Sequence, residues 1–282
     1  MKPKQNKRPT LAWAVFVFLC ITAVVAAYFY FGSQGRIYVH FIDVGQGEAT
    51  LIQTHGGTML IDGGDNHMGE TTVNYLLYNG VYFIDYLIAT HPHADHIGGL
   101  IPVLDTFAVG TLIMPNREHT TLTFERFLDA IERNNIYVRE PVVGAEIRKG
   151  GAVFTIVAPN SGGYTALNDY SIVMHMVYRD ISFLFTGDAE AVSEREILAV
   201  GHNISADILQ VGHHGSRTST TYEFLREVSP LIAVISAGSG NAYGHPHASV
   251  INRLYEYGVI IYRTDHHGNV VIATNGRDIW VN

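Results

Sequence analysis

Four potential metal ligands lie within six residues of one another, directly after the apolar run 84–90. They are His91, His93, Asp95 and His96. Imidazole nitrogen and carboxylate oxygen are the ligands that zinc and similar divalent metals take in proteins. His91 and His93 can face one metal ion, while Asp95 and His96 can face a second from the turn that opens the next helix. The spacing therefore predicts one or two divalent metal ions, Zn or Mn, and metal-assisted hydrolysis.

Other polar side chains with possible chemical roles follow later apolar runs. Asp188, beside Gly187, is either a site residue or a simple turn residue. His245 lies in a loop flanked by Gly and Pro, where it is a candidate phosphate contact or proton donor; a surface or capping role is the alternative. Ser216 could donate a hydrogen bond to a phosphate oxygen, or could cap a helix. His266 and His267 are interpreted as exposed turn residues.

Short strands and helices must position these side chains. Period-two or wholly apolar runs predict strands at 36–43, 49–54, 58–62, 84–90, 109–114, 152–158, 172–178, 182–185, 207–211, 231–236, 259–262 and 270–273. Helical patterns lie at 71–78, 122–133, 190–200, 222–228 and 248–257. The runs 59–63 and 184–188 echo each other, since each ends in Asp beside Gly. Two related halves of this kind predict a β-sandwich flanked by helices, with ligands at one edge.

Composition supports a large folded body with an acidic surface. Hydrophobic residues make up 47% of the 282 residues and charged residues only 16%. Four of the 18 basic residues precede residue 10, so beyond residue 31 the remaining 14 basic residues face 26 acidic ones, a net charge of −12. This balance argues mildly against non-specific nucleic-acid binding. Cys20 is the only cysteine and lies in the apolar N-terminal stretch, which excludes disulfide and thiolate chemistry in the body.

The N-terminal stretch predicts a membrane anchor. Residues 1–10 form a basic tail, 11–31 are uncharged and apolar, 32–35 are a short linker, and 36–282 form the body. An apolar helix of that length spans about 30 Å of hydrocarbon. The positive-inside rule places the tail in the cytoplasm and the body outside a single-pass membrane protein. A cleaved signal peptide, which would leave the body secreted, is the alternative.

The metal-ligand run resembles the His-x-His-x-Asp-His motif of the metallo-β-lactamase superfamily. Further motifs follow in the expected order at 60–64, 185–188 and 210–216. The resemblance covers roughly residues 36–282. It implies an α+β fold, the metallo-β-lactamase αβ/βα sandwich, here preceded by one transmembrane helix.

The resemblance also implies roles for individual residues. Asp188 is expected to bridge two metals, and Asp62 to support a ligand from behind. Asp95 is expected to bind metal and to orient or deprotonate water. His213 is the preferred ligand of the second metal because it comes first after its strand. His214 would then face substrate, although the two could be exchanged.

One motif of the superfamily is missing. A His commonly precedes the strand that leads to the bridging Asp, and the corresponding place holds Asn168 and Asp169. His175 alternates with Val173 and Val177, so we interpret it as a packed strand residue. The first metal is therefore expected to have His91, His93 and Asp188 as ligands, with help from Asn168 or Asp169; it could also be weak or absent. With these ligands, the first metal has one protein ligand fewer than the family pattern provides.

A narrower resemblance is to the hydrolase domain of ComEC-type competence proteins. Its residues lie at 41–49, 168–171, 213–216, 241–247 and 262–268, and Glu48 stands where that family usually has Asp. Phosphocholine esterases share part of the pattern. The resemblance implies an extracytoplasmic phosphodiesterase or nuclease with a phosphodiester substrate, DNA among the candidates. The alternatives are an esterase acting on another cell-surface polymer, a non-catalytic metal-binding module, and a true β-lactamase, whose motifs are less similar.

Overall fold

A computed structural model describes residues 11–33 and 35–282, and within the first range it describes the side chains of 13–24. The chain divides after Arg36 into two units. The first contains helix α1, Leu11–Ser33, which continues two residues into the predicted linker. Among the described residues, no helix is long and apolar enough to cross a membrane. The predicted basic tail lies outside the described residues, and the predicted anchor stays a prediction.

The second unit contains fifteen strands among the described residues. They are β1 Ile37–Phe41, β2 Thr50–Thr54, β3 Gly57–Ile61, β4 Phe83–Ile88, β5 Ala108–Ile113, β6 Val138–Arg139, β7 Glu146–Lys149, β8 Ala152–Ala158, β9 Val173–Tyr178, β10 Ile181–Phe185, β11 Ile208–Gln210, β12 Ile232–Ile235, β13 Ile260–Arg263, β14 Val270–Thr274 and β15 Ile279–Val281. The helices are α2 Gly69–Tyr78, α3 Ala94–Ile97, α4 Leu100–Thr106, α5 Leu122–Arg133, α6 Ala191–Val200, α7 Tyr222–Val228, α8 Ala248–Glu256 and α9 Thr264–His267.

The strands form two sheets. One has eight strands in the order β15-β14-β1-β2-β3-β4-β5-β6, and the other has seven in the order β13-β12-β11-β10-β9-β8-β7. Pairing is parallel from β3 to β6 in the first sheet and from β10 to β13 in the second. The carboxyl ends of parallel strands are where loops gather to bind ligands in such sheets.

Alternating side chains divide the core into three layers. Phe183 and Phe185 of β10 join Phe41 of β1 in one buried cluster that contains residues of both sheets. Leu184, between the two phenylalanines, belongs instead to a cluster with α6, α7 and α8. A third cluster joins the first sheet to α2, α4 and α5. This period-two pattern produces a helix–sheet–sheet–helix sandwich, as the sequence predicts.

Elements that the sequence did not predict are short. They are α9, β6, β7 and β15, whereas the helix expected to open at Asp95 and His96 is present as α3 and α4. Strand β6 has two residues, both exposed, so it shows no hydrophobic period. Helix α9 carries His266 and His267, which are exposed as expected but lie in one helical turn.

Candidate metal centre

His91 lies just beyond the carboxyl end of β4, in the buried floor of the candidate site. Its Nδ1 is 3.1 Å from Thr90 Oγ1 and 3.3 Å from Ser171 Oγ. Since Thr90 Oγ1 donates its own proton to Asp62, it accepts one from His91 Nδ1. The Nε2 of His91 is thereby left as an acceptor, and it lies 3.0 Å from His93 Nδ1.

Helix α3 carries Asp95 and His96 to the same place. The Nδ1 of His96 is 2.7 Å from Asp62 Oδ2, and Asp62 also accepts from the Thr90 backbone N–H at 2.8 Å. Asp62 is fully buried and has a positive φ of 56°, which Asp tolerates better than most residues. This carboxylate holds the His96 ring so that its Nε2 points into the cluster.

Asp188 lies between two groups of histidines. Its Oδ1 is 3.3 Å from His96 Nε2 and 3.6 Å from His214 Nε2. Its Oδ2 is 3.8 Å from His91 Nε2 and 3.8 Å from His213 Nε2. Each carboxylate oxygen therefore faces a different pair of imidazoles, as a bridging ligand would.

The turn that carries Asp188 is held by a buried polar network. Gln210, at the end of β11, accepts hydrogen bonds from the backbone N–H groups of Thr186 and Gly187 at 2.7 and 3.0 Å. Its Nε2 donates to Glu48 at 3.1 Å. Gly187 has φ +51°, and a Cβ there would meet the Thr90 side chain at 3.1 Å. The turn thus needs glycine beside Asp188.

The pair His213 and His214 follows β11 in a left-handed conformation. Their φ values are 49° and 54°, which is uncommon for residues other than glycine. His214 donates from Nδ1 to the Ser236 carbonyl at 2.9 Å, and its Nε2 is 3.3 Å from Asp95 Oδ2. His213 instead lies toward Glu190, with Nδ1 3.0 Å from Oε1. The sequence favoured His213 as the ligand of the second metal and left the exchange with His214 open. The geometry favours that exchange, because His214 and not His213 lies beside Asp95 and His96.

The donor atoms fit divalent metal ions. Two groups have ligand atoms within 4.8 Å of one another: one is His91, His96 and Asp188, and the other is Asp95, His96 and His214. Among the described residues, His96 Nε2, His214 Nε2 and Asp188 Oδ1 are buried without a hydrogen-bond partner. Buried polar atoms normally have partners, so three convergent exceptions indicate a site for cations.

Burial and carboxylates shift the pKa values in opposite directions. Burial lowers the pKa of His214, but the negative charges of Asp188 and Asp95 outweigh it and raise the pKa to about 9. Burial likewise opposes protonation of His96, whose pKa is nevertheless raised well above its usual range by Asp188, Asp62 and Asp95. Without metal, the cluster takes up positive charge as protons.

The clusters lie at the base of an open cleft of about 320 Å³. Gln46, Tyr243 and His245 join the ligand residues in lining it. Burial, with a smaller contribution from the neighbouring imidazoles, lowers the pKa of His245 to about 4. Tyr243 is 67% exposed and its ring lies nearly parallel to that of His245, with centroids 5.6 Å apart.

The remaining predicted site residues fall into different places. Asn168 lines the cleft, and its Nδ2 is 3.1 Å from Glu190 Oε1. Ser216 is buried, and its Oγ is 2.9 Å from Thr218 Oγ1. It is absent from the described residues that line the cleft. His175 is packed inside β9, with Nε2 2.9 Å from the Ser205 carbonyl.

Sequence reasoning missed the supporting residues Gln210 and Glu190. Gln210 is a polar residue at the end of an apolar strand, shortly before the histidine pair. A polar residue at that position indicates a role in supporting the site. Glu190 gave no comparable indication, because its role depends on the distance to His213 across the fold.

Comparison with known proteins supplies the family. Residues 42–239 match the metallo-β-lactamase superfamily. The chain belongs to this superfamily. One relative is ComE operon protein 3 of Bacillus subtilis (strain 168), which is 31% identical over 272 residues. The match covers 89% of this chain and 35% of the relative. Another is the Haemophilus influenzae Recombination protein 2, 33% identical over 90% of this chain and 30% of the relative.

The competence-type resemblance is thus confirmed, but only for part of those proteins. The chain spans about a third of the length of these relatives. Among solved structures, Igni18, described as a metallo hydrolase from Ignicoccus hospitalis, has a TM-score of 0.56 at 12% identity and covers 84% of this chain and 98% of its own. The metallo-β-lactamase fold protein YhfI from Bacillus subtilis has a TM-score of 0.54 at 10% identity over 87% and 99%. These likenesses support the fold.

Proposed function

We propose that this chain is a metal-dependent phosphodiesterase whose candidate substrate is DNA. The observation that carries the proposal is the placement of Asp188 between two imidazole groups at the base of an open cleft. Shared carboxylates of this kind occur in two-metal phosphatases and nucleases. The relative named Recombination protein 2 points to DNA, because recombination acts on it.

The residues suggest a division of labour. His91, His93 and Asp188 would hold one metal, and Asp95, His96, His214 and Asp188 a second. The bound ions supply Lewis-acid chemistry and lower the pKa of water. Asp95 is partly exposed at the cleft, where its carboxylate would orient a water molecule and could accept its proton. His245, neutral at pH 7, can donate one ring N–H toward a phosphate or leaving group.

Tyr243 supports a nucleotide substrate over a simple phosphoester. Its exposed ring, backed by His245, offers a flat face at the cleft, and base stacking on such rings is sequence-tolerant. A second candidate is an esterase acting on a phosphocholine-bearing cell-surface polymer. The net charge of −12 beyond residue 31 favours it, because such a polymer is repelled less than DNA.

The test uses the purified full chain loaded with zinc or manganese. Substrates are bis-p-nitrophenyl phosphate, single-stranded DNA, p-nitrophenylphosphocholine and nitrocefin. We expect metal-dependent cleavage of the first two, abolished by Asp95→Ala with His96→Ala and retained in His55→Ala, an exposed histidine in the β2–β3 turn. Hydrolysis of the phosphocholine ester alone would favour the second candidate, and bound metal without any turnover would favour a non-catalytic module.

We also propose that the body faces the cell exterior, anchored by residues 11–31 or released by cleavage. The proposal rests on the four basic residues before position 10, against Arg36 as the one basic residue soon after the apolar run. Protease added to intact cells should then digest the body of an anchored chain, or the body should be found in the medium if it is released. Protection of a cell-retained body that is digested only after lysis would contradict this location.

A further inference from the structure

The first metal cluster is His91, His93 and Asp188, and the second is Asp95, His96, His214 and Asp188. The first has one ligand fewer, and none of its ligands corresponds to His214. In the second cluster, Asp188 Oδ1 faces the Nε2 atoms of His96 and His214. In the first, Oδ2 faces the Nε2 atoms of His91 and His213, both at 3.8 Å. His213 therefore occupies, relative to Asp188, the position that mirrors His214.

The distances from Asp188 Oδ2 to its two histidine neighbours are short enough for a shared ion. Two ligands that each lie about 2.1 Å from one metal can be at most about 4.2 Å apart. The Nε2 atoms of His91 and His213 are both within that limit of Asp188 Oδ2. The Nε2 of His91 and the Nδ1 of His93 are 3.0 Å apart, which also meets it.

A carboxylate fixes the ring of His213. Its Nδ1 lies 3.0 Å from Glu190 Oε1, so the proton belongs on Nδ1 and the lone pair on Nε2, toward Asp188. Glu190 is itself held by Thr218 Oγ1 at 2.9 Å and Asn168 Nδ2 at 3.1 Å. Asp62 holds His96 in the same way. Carboxylate–histidine pairs of this kind orient metal ligands and raise their basicity.

The backbone also orients the His213 side chain toward Glu190. Its N–H donates to the Gly187 carbonyl at 3.1 Å, and its own carbonyl accepts from Ser216 N at 2.7 Å. Its left-handed conformation sends the two adjacent histidine side chains to different partners, His213 toward Glu190 and His214 toward Ser236. A histidine whose side chain only faced solvent would not require that backbone.

We propose that His213 is the fourth ligand of the first metal and that Glu190 is its positioning residue. His213 then takes the place of the histidine that the family motif has where this chain has Asn168. The first cluster becomes three imidazole nitrogens and one shared carboxylate oxygen, a donor set that suits zinc and similar divalent transition metals. The proposal rests on the metal centre of the proposed function but not on its substrate.

The experiment measures Mn²⁺ binding by the metal-free full chain, using calorimetry and electron paramagnetic resonance. Wild-type protein should bind two ions and give the spectrum of a coupled pair. His213→Asn, in which Asn tolerates the left-handed backbone, should weaken one ion by about 10–100-fold and leave a single-ion spectrum. Glu190→Gln should weaken the same ion less, with the melting temperature of the metal-free protein unchanged. The matched control is His67→Asn, from an exposed His67–Asp65 pair 3.2 Å apart.

The outcomes separate this proposal from the proposed function. Two ions bound with wild-type affinity in both His213→Asn and Glu190→Gln would overturn it, as would a wild-type chain that binds a single ion. The Glu190→Gln variant keeps the test valid if His213→Asn fails to fold. A two-ion protein that responds as expected to both substitutions but cleaves no phosphodiester would refute the proposed function and support this inference.

Discussion

At the residue scale, three of the site histidines share one pattern, in which Nδ1 is anchored and Nε2 points inward. His91 uses Thr90, His96 uses Asp62 and His214 uses the Ser236 carbonyl. Anchoring fixes both the ring orientation and the tautomer that binds metal. Ligand strength therefore depends on residues that never touch the ion.

Asp62→Asn tests this dependence. Asn accepts the positive φ of this position, so the backbone need not change. If its carbonyl oxygen keeps the bond to the Thr90 N–H, its amide nitrogen faces His96 Nδ1 and moves the ring proton to Nε2. We expect metal at the second cluster to bind about 10–100-fold more weakly, measured by calorimetry. Unchanged affinity in a folded variant would show that Asp62 does not set the tautomer.

Proton release on metal binding follows from the raised pKa values. His214 has its pKa raised to about 9 and His96 well above its usual range, so both are protonated at pH 7 without metal. Metal must displace these protons, and its apparent affinity should rise about tenfold per pH unit for each proton, with the contribution of His214 ending near pH 9. Calorimetry in buffers of different ionisation enthalpy counts the protons. Binding that is independent of pH between 6 and 8 would mean that both rings are neutral.

The sequence predicted which residues form the site better than it predicted their pairing. The spacing of His91, His93, Asp95 and His96 after a buried strand limited where their side chains could go. His213 and His214 are adjacent, and order along the chain favoured the first as the second-metal ligand. The geometry favours His214, because two consecutive left-handed residues turn the rings apart. That backbone is set by contacts with Gly187 and Ser236, which lie far away in sequence.

At the element scale, close packing between α3–α4 and the end of β3 positions Asp95 and His96. The Gly63 N–H donates to the His96 carbonyl at 2.8 Å, and the Gly99 N–H donates to the Gly64 carbonyl at 2.8 Å. Both bonds require the helix backbone to touch the turn backbone. Glycines on each side make that approach possible.

Gly99→Ala should break this contact. A Cβ there would lie 1.8 Å from the Gly63 carbonyl oxygen, and backbone cannot yield as a flexible side chain can. We expect a loss of about 2–3 kcal/mol or more in the free energy of unfolding, measured by urea denaturation, together with weaker metal binding. The matched control is Gly162→Ala, where no atom lies within 4 Å and φ is ordinary. Equal stability of the two variants would contradict the packing argument.

Most elements were predictable because their hydrophobic period is strong. The alternation in β10 and the amphipathic pattern of α5 identify both elements and their buried faces. Strand β6 and helix α9 were not predictable. The first has two exposed residues, and the second is a four-residue helix whose sequence favours an exposed turn. Such short elements are defined by their neighbours and not by local sequence preference.

At the scale of the whole molecule, the net charge and the candidate metal site have opposite effects on the binding of a polyanionic substrate. The net charge of −12 beyond residue 31 repels polyanions, while the candidate metal clusters attract phosphate. The composition predicted this acidity correctly. It could not predict that Asp95 and Asp188 would gather among histidines, because that depends on two strands from different sheets ending at one edge.

Salt dependence is the measurement that weighs these opposing effects. If metal ions and Tyr243 stacking supply most of the affinity for single-stranded DNA, Lys and Arg neutralise only about one or two phosphates. Since the slope of log affinity against log salt is about −0.7 per phosphate, KM should then rise by less than about tenfold between 50 and 200 mM NaCl. Six or more ionic contacts would instead raise it by about 300-fold or more. Bis-p-nitrophenyl phosphate, which has a single phosphate, is the control and should show almost no salt dependence. A steep rise with DNA alone would mean that a basic surface concentrates enough of the 14 cations to guide the strand despite the acidic total.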